Sequence, residues 1–283
     1  MVKAALEGPG IRLSAAELLA QRESRLPTSR HRPASRRPGA LPAKPAGAGM
    51  DLREIRAFAE GDDARRIDPA ATARTGIPHI RSFHEDRDDT VLLIADFRPP
   101  MLWGTGNALR SVRGARMLAR QGWQALARGA AIAAIAFDAA GTALVPAGAG
   151  APHMARIAQM LAGRHDHALD AITDPTGAGA TLSQALIQAT RLAPSGSEVL
   201  LATGVEGIAP EDEPALARLA RRRRVRLLLA LDPLETAPPA RALPIHAGAL
   251  HRVARLQRVD THALAARLRA LNVSLDVIAH DAG

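Results

Sequence analysis

The sequence predicts an α/β fold, a doubly wound and mostly parallel sheet with helices on both faces. The first observation is a set of short, continuously apolar runs such as Thr90–Ala95, which are typical of strands buried on both faces. The second is that helical patterns of ten or more residues separate these runs, as in right-handed crossovers between parallel strands. We therefore expect the α/β domain to occupy residues 88–283.

The predicted elements follow one another in order. A short helix is expected over Leu13–Gln21, with Ser14 as its N-cap. The predicted strands are Thr90–Ala95, Ala131–Asp138, Thr142–Pro146 (an edge), Glu198–Ala202, Val225–Asp232 and Ser274–Ile278. The predicted helices are Asn107–Arg128, Ala151–Gly163, Leu182–Leu192, Glu213–Arg222 and Thr261–Leu271, the last capped by Thr261. Ligands of such sheets bind at the carboxyl ends of the strands, where Asp96 ends the first one.

The composition excludes several classes of function. The chain has no cysteine, which excludes disulfides, iron–sulfur clusters, thiolate zinc sites and a thiol nucleophile. Its only lysines, Lys3 and Lys44, follow no glycine-rich phosphate loop, so the chain is not itself a P-loop ATPase. Four Phe, two Trp and no Tyr argue against a base-stacking nucleic-acid module. With no membrane span of ~18 apolar residues and no signal peptide, we expect a cytoplasmic protein.

Positive charge is concentrated in a basic N-terminal extension, residues 1–49, which holds nine basic and three acidic side chains. The part from Arg25 to Gly49 is rich in proline and has no acid, which predicts an extended, mobile segment. It can be a solvated linker or a docking arm. Because the rest of the chain is nearly balanced in charge, we do not expect nucleic-acid binding.

A charged segment over residues 50–87 has a long, ordered pattern. Residues 49–68 read GMDLREIRAFAEGDDARRID, residues 73–76 read ARTG, and residues 81–88 read RSFHEDRD before the first strand. This pattern resembles the family of domains of unknown function numbered fifty-eight (DUF58). The family positions matched here are Arg56, Gly61, Asp62, Asp63, Arg65, Asp68 and Arg74. The chain departs from the family at Phe58, usually Tyr, and at Pro69, usually Trp.

The resemblance implies a von Willebrand factor A-like, Rossmann-type domain, of the kind often encoded beside MoxR-type AAA+ ATPases. Related domains hold a metal in an adhesion site made by an aspartate, two serines, a distant threonine and a later aspartate. Here Asp96 and Thr181 match, but Arg98 and Pro100 replace the serines and Thr203 replaces the later aspartate. Since Mg²⁺ requires near-octahedral oxygen ligands, we expect this site to be degenerate, with no metal and no cofactor.

Several local patterns leave alternatives open. Arg98 either pairs with Asp96 in place of the ion or points into solvent. Asp62, Asp63 and Asp68 interleave with Arg65, Arg66 and Arg74 as a structural ion-pair lattice or as a partner surface. His165-Asp166-His167 could reach one metal from a strand or loop, although surface histidines are commoner. Arg221–Arg224 read as a helix C-terminus or as a phosphate patch.

These observations favour a non-catalytic protein-interaction module, expected to be an adaptor or partner of a MoxR-type AAA+ ATPase. We expect its contact surface near Asp96, Arg98 and Thr181, with the Arg98 guanidinium taking a carboxylate of the partner. The first alternative is a metal-dependent ligand-binding domain. The second is a hydrolase that uses Asp62 or Asp63 near Asp96.

Overall fold

The computed structural model describes residues 10–23, 46–59, 62–84, 89–172, 180–247 and 250–278. The expected mobile segment Arg25–Gly49 lies outside the described residues except for 46–49, and Gly61 lies outside them as well. No helix in the described ranges combines the length and apolarity needed to cross a bilayer.

The described residues form strands and α-helices that alternate along most of the chain. The strands are β1 (Ala46–Ala57), β2 (His79–His84), β3 (Thr90–Asp96), β4 (Ala131–Asp138), β5 (Gly141–Gly148), β6 (Glu198–Thr203), β7 (Arg224–Ala230), β8 (Leu243–Ala247), β9 (Leu250–Ala254) and β10 (Val273–Ile278). The helices are α1 (Ala15–Ala20), α2 (Pro69–Thr75), α3 (Arg110–Ala127), α4 (Ala151–Ala171), α5 (Leu182–Leu192), α6 (Glu213–Ala220), α7 (Pro233–Thr236) and α8 (Thr261–Ala270).

Six strands form the central sheet, in the order β10-β7-β6-β3-β4-β5. All neighbours are parallel except β5, which pairs antiparallel with β4 at the edge. The α/β, mostly parallel prediction is therefore confirmed. The chain first leaves β3 towards β4 and later returns on its other side as β6. This reversal places a topological switch point between β3 and β6, where ligands of such sheets bind.

The core has two layers because successive residues of a buried strand point to opposite faces of the sheet. Leu93 of β3 packs with Leu118 of α3 and Leu161 of α4. Its neighbour Ile94 packs on the other side, among buried residues of α5, α6 and α8 such as Leu186. Helix α1 belongs to the first layer, and its Ser14 cap is confirmed by a hydrogen bond from the Glu17 N–H.

Three predicted helices differ from the structure. Helix α4 continues past Gly163 to Ala171, so the predicted strand or loop at His165–His167 is wrong. The N-cap of α8 is Asp260 rather than Thr261, because the Asp260 carboxylate accepts the N–H groups of His262 and Ala263. Helix α3 begins at Arg110 rather than Asn107, because the preceding residues form a loop that the Asp232 carboxylate holds through Thr105.

The charged segment forms a small unit of its own. Strands β1 and β2 pair antiparallel, and Ile67 forms a bridge to Ile80 of β2. Helix α2 follows its N-cap, Asp68, and ends at Gly76, whose φ of 73° is a left-handed conformation that glycine adopts without strain.

Candidate functional site

A buried carboxylate lies at the carboxyl edge of the sheet, at the switch point. Asp96 is the last residue of β3, and Thr203 is the last residue of the neighbouring β6. The Thr203 hydroxyl donates to Asp96 Oδ2 at 2.6 Å. Asp96 is only 1% exposed. A carboxylate buried so deeply needs a counter-charge and hydrogen-bond donors.

Arg98 supplies that counter-charge. Its Nε donates to Asp96 Oδ1 at 2.9 Å and its Nη2 to Oδ2 at 2.7 Å, which is a bidentate pair. Nη2 also donates to the Gly207 carbonyl at 2.6 Å, and the guanidinium carbon lies 5.0 Å from the centre of the Phe137 ring. Burial alone would lower the pKa of Arg98, but the hydrogen bonds and charge of Asp96 raise it above its usual value. The guanidinium therefore stays charged and faces inward.

The residues present do not fit the metal that the resemblance implies. The oxygens of Asp96 already accept hydrogen bonds from Arg98 and Thr203. The Thr181 hydroxyl accepts the Gln184 N–H at 3.2 Å as the N-cap of α5, and no hydrogen bond joins Thr181 to Asp96. The structure therefore brings Asp96 and Arg98 together but leaves Thr181 in a helix cap. Within the described ranges, no three His, Asp or Glu side chains form a metal-binding group.

A fully buried arginine, which the sequence analysis did not identify, lies at the start of α3. Arg110 is fully buried, and its Nη1 donates to the Pro100 carbonyl at 3.1 Å and to Glu206 at 3.0 Å. It also forms an ion pair with Glu235 and lies 4.1 Å from the centre of the Trp103 ring. The pKa of Glu235 is raised above its usual value, and burial is the main cause. A fully buried arginine at the start of a helix gives no signal in the sequence.

Asp138, the carboxylate that ends β4, is also engaged by internal hydrogen-bond partners. One oxygen of Asp138 accepts the Ala140 and Gly141 N–H groups and Arg164 Nη2, the last at 2.6 Å. The other oxygen lies 3.1 Å from His167 Nδ1.

The carboxylate after β7 is held in the same way. Asp232 accepts the Thr105 N–H at 2.7 Å, the Thr105 hydroxyl at 2.5 Å and the Leu234 N–H at 3.0 Å. Burial would raise the pKa of Asp232, but these hydrogen bonds keep it below its usual value. Asp96, Asp138 and Asp232 thus all accept internal hydrogen bonds along this edge.

His165 and His167, for which a shared metal was the less favoured alternative, are directed apart by helix α4. Residues two positions apart on a helix do not face the same side. His165 is buried, with Nε2 2.8 Å from the Ser111 hydroxyl and its ring edge-on to Phe97. Burial lowers the pKa of His165 to about 4, so this ring is neutral at pH 7. His167 faces Asp138 instead.

The family segment does contain a structural ion-pair arrangement, but with partners other than those predicted. Arg56 binds Asp62 with two hydrogen bonds, at 2.9 and 2.7 Å. Arg81, which the sequence did not single out, donates to Asp68 at 2.7 Å. The hydrogen bond from Arg56 lowers the pKa of Asp62 below its usual value.

Of the other charged residues of this segment, some cap a helix or a turn and others are exposed. The Asp68 carboxylate caps α2 through the Ala71 N–H at 2.8 Å, and this hydrogen bond is the main reason that its pKa is lowered. Asp63 caps a short 3₁₀ turn by accepting the Arg65 N–H at 3.0 Å. Arg65 and Arg74 are exposed and pair with no carboxylate of the described residues. The carboxylates of the predicted lattice that cap a turn or a helix, Asp63 and Asp68, therefore fix local structure.

Comparison with known proteins agrees with the pattern in this segment. Residues 54–273 match the family model described as "Protein of unknown function DUF58". Over 59 residues, the chain is 41% identical to uncharacterised proteins of Mycobacterium bovis and of two strains of Mycobacterium tuberculosis. The match covers 21% of this chain and 19% of each relative, so it spans about a fifth of the length of these proteins.

Proposed function

The chain belongs to the DUF58 family, and we propose that it is a non-catalytic protein-interaction module. In this proposal its α/β domain is a von Willebrand factor A-like platform. It serves as an adaptor or partner of a MoxR-type AAA+ ATPase in a chaperone-like assembly, and it meets that partner without a bridging metal ion.

One observation carries the proposal: the Arg98 guanidinium occupies both oxygens of Asp96 at the switch point. A general base needs a carboxylate that can accept a proton from a substrate. Asp96 is instead buried and paired with Arg98, and Asp138 and Asp232 accept hydrogen bonds from internal donors. An edge arranged in this way is suited to recognition rather than to proton transfer.

The exposed groups at the carboxyl edge are those that a partner would meet. Thr181 is exposed at the start of α5, and Glu206 is 55% exposed in the loop after β6. The Arg98 side chain is 20% exposed, with Nε and Nη2 directed towards Asp96. A partner carboxylate would therefore approach the outer side of the guanidinium, at Nη1, while the internal pair stays intact.

The two alternatives lack a supporting observation. Metal-dependent ligand binding would require the cation to displace the Arg98 guanidinium from both Asp96 oxygens. A hydrolase that uses Asp62 or Asp63 is disfavoured because Asp62 is bound by Arg56 and Asp63 caps a turn.

The test is a binding measurement between the full chain and the purified MoxR-type ATPase of the same organism, in its ATP-bound and ADP-bound states. We expect a complex with a micromolar or lower Kd in one of these states, which Thr181→Glu weakens about tenfold or more, because the new carboxylate repels that of the partner. Ser195→Glu, an exposed position at the opposite edge of the sheet, is the matched control and leaves binding unchanged. No complex in either state, or equal effects of both variants, contradicts the proposal.

A further inference from the structure

On one face of the domain, helix α1 covers the surface between helices α3 and α4. Helix α1 packs against α3 and α4, and its Leu18 is fully buried there. Trp123 of α3 donates its indole N–H to the Leu18 carbonyl at 3.2 Å. A single short helix with a central leucine is enough to cover this surface.

Polar contacts flank that leucine on both sides. Glu17 forms an ion pair with Arg116 of α3, and Arg120 donates to the side-chain oxygen of Gln21 at 2.5 Å. On the α4 side, Arg12 pairs with Asp166 at 2.9 Å. The covering element is therefore a short amphipathic segment that presents an acid to an arginine of the helix beneath.

The opposite face has a groove between α5 and α6, and no element of the described residues covers it. The groove has a volume of about 160 Å³ and is lined by Leu186, Ile187, Thr190, Arg191, Ala215 and Arg218. Ile187, one of the lining residues, is 50% exposed. A half-exposed isoleucine in a concave surface leaves apolar area that a partner's side chain can cover.

The two charged side chains that line this groove are both arginines. Arg191 and Arg218 line it, and Arg221 and Arg222 are exposed just beyond α6. Within the described parts of the chain, none of these four arginines has a carboxylate at ion-pair distance. Unpaired like charges repel one another, and an acidic partner removes that repulsion.

Arg223 shows that the arginine run has two roles. Its Nε donates to the Ala193 carbonyl at 2.7 Å and its Nη2 to the Thr190 carbonyl at 2.9 Å, so it holds the end of α5. Burial and then the charge of Arg222 lower the pKa of Arg223. Arg223 is thus engaged within the fold, whereas Arg221 and Arg222 beside it are exposed.

We propose that the α5–α6 groove binds a short, acidic, amphipathic helix of a partner protein. An apolar side chain of that helix packs on Ile187, and its carboxylates pair with Arg191 and Arg218. The groove lies on a helical face rather than at the carboxyl edge, so the proposal holds whether or not an AAA+ ATPase binds that edge.

The test uses a fluorescent, stapled helical peptide of about 15 residues, with leucines along one face and glutamates beside them. A scrambled peptide of the same composition and charge controls for amphipathicity. We expect the helix to bind the full chain and the scrambled peptide to bind at least about tenfold more weakly. Arg191→Glu/Arg218→Glu should weaken helix binding about tenfold or more, and Ile187→Ser should weaken it as well.

The matched control is Arg255→Glu/Arg258→Glu, which makes the same change in charge at two exposed positions elsewhere. This control should bind the helix as the wild type does, and circular dichroism melts should show that every variant is folded. No binding of the helix, equal binding of the scrambled peptide, or equal losses in both double variants would overturn the proposal. Tighter binding of a DNA duplex than of the helix, lost in Arg191→Glu/Arg218→Glu, would assign the groove to polyanions and would also overturn it.

Discussion

Replacing Arg98 by alanine should destabilise the fold far more than removing a surface arginine. The substitution deletes the two hydrogen bonds to Asp96, at 2.9 and 2.7 Å, and leaves a carboxylate that is 1% exposed. Among the described residues, only the backbone N–H of residue 98 and the Thr203 hydroxyl would still donate to it. Breaking a buried pair in this way costs about 3–5 kcal/mol, a large part of the ~5–15 kcal/mol that stabilises a typical domain.

Urea unfolding at pH 7 measures this loss, with Arg12→Ala as the control. Arg12 also forms an ion pair, with Asp166 at 2.9 Å, but the side chains of both residues are substantially exposed. Such a pair contributes about 0–1 kcal/mol. Combining Arg98→Ala with Asp96→Asn should recover part of the loss, because the buried charge is then gone. A cost below about 1 kcal/mol for Arg98→Ala, equal to that of Arg12→Ala, would show that the Asp96–Arg98 pair behaves like a surface pair.

Two further predictions concern the core and the edge loop. His165 has a folded pKa of about 4 and an unfolded pKa near 6.5, so its contribution of about 3 kcal/mol is complete above pH 6.5 and is lost as pH falls towards 4. Urea unfolding at pH 7 and 4.5 should therefore show that wild type loses more stability than His165→Gln, and parallel losses would contradict this assignment. Gly207→Ala should cost about 1–3 kcal/mol or more, because a Cβ there would lie 1.8 Å from the Thr203 hydroxyl oxygen. Thermal melts measure this loss. Gly163→Ala is the control and should be neutral or stabilising, because a Cβ there would meet nothing within 4 Å. Equal melting temperatures for the two variants would be inconsistent with the packing described.

The sequence predicted the central sheet well because its strands are buried on both faces. Continuous apolar runs such as Val91–Ala95 have few alternatives to a buried strand. Helix ends were less predictable. The residues after Gly163 are polar, yet α4 continues because His165 and Leu169 are buried by tertiary packing that the local pattern does not reveal.

The candidate site was predictable only where the chemistry is local. Arg98 and Asp96 are two residues apart, so their pairing was one of two open alternatives. Arg110 with Glu206, and Arg81 with Asp68, join residues that are distant in the sequence or carry no distinguishing pattern. Thr181 matched a family position, but its hydroxyl serves a helix cap, and a capping residue is indistinguishable from a ligand in a single sequence.

We propose that the Arg98 guanidinium, rather than a metal ion, neutralises Asp96. Calorimetric titration of the wild-type chain with Mn²⁺ and Mg²⁺, with Asp96→Ala titrated in parallel, tests this claim. Because both Asp96 oxygens are engaged, the wild type should bind neither ion more tightly than millimolar. A single micromolar site in the wild type that disappears in Asp96→Ala would contradict the claim.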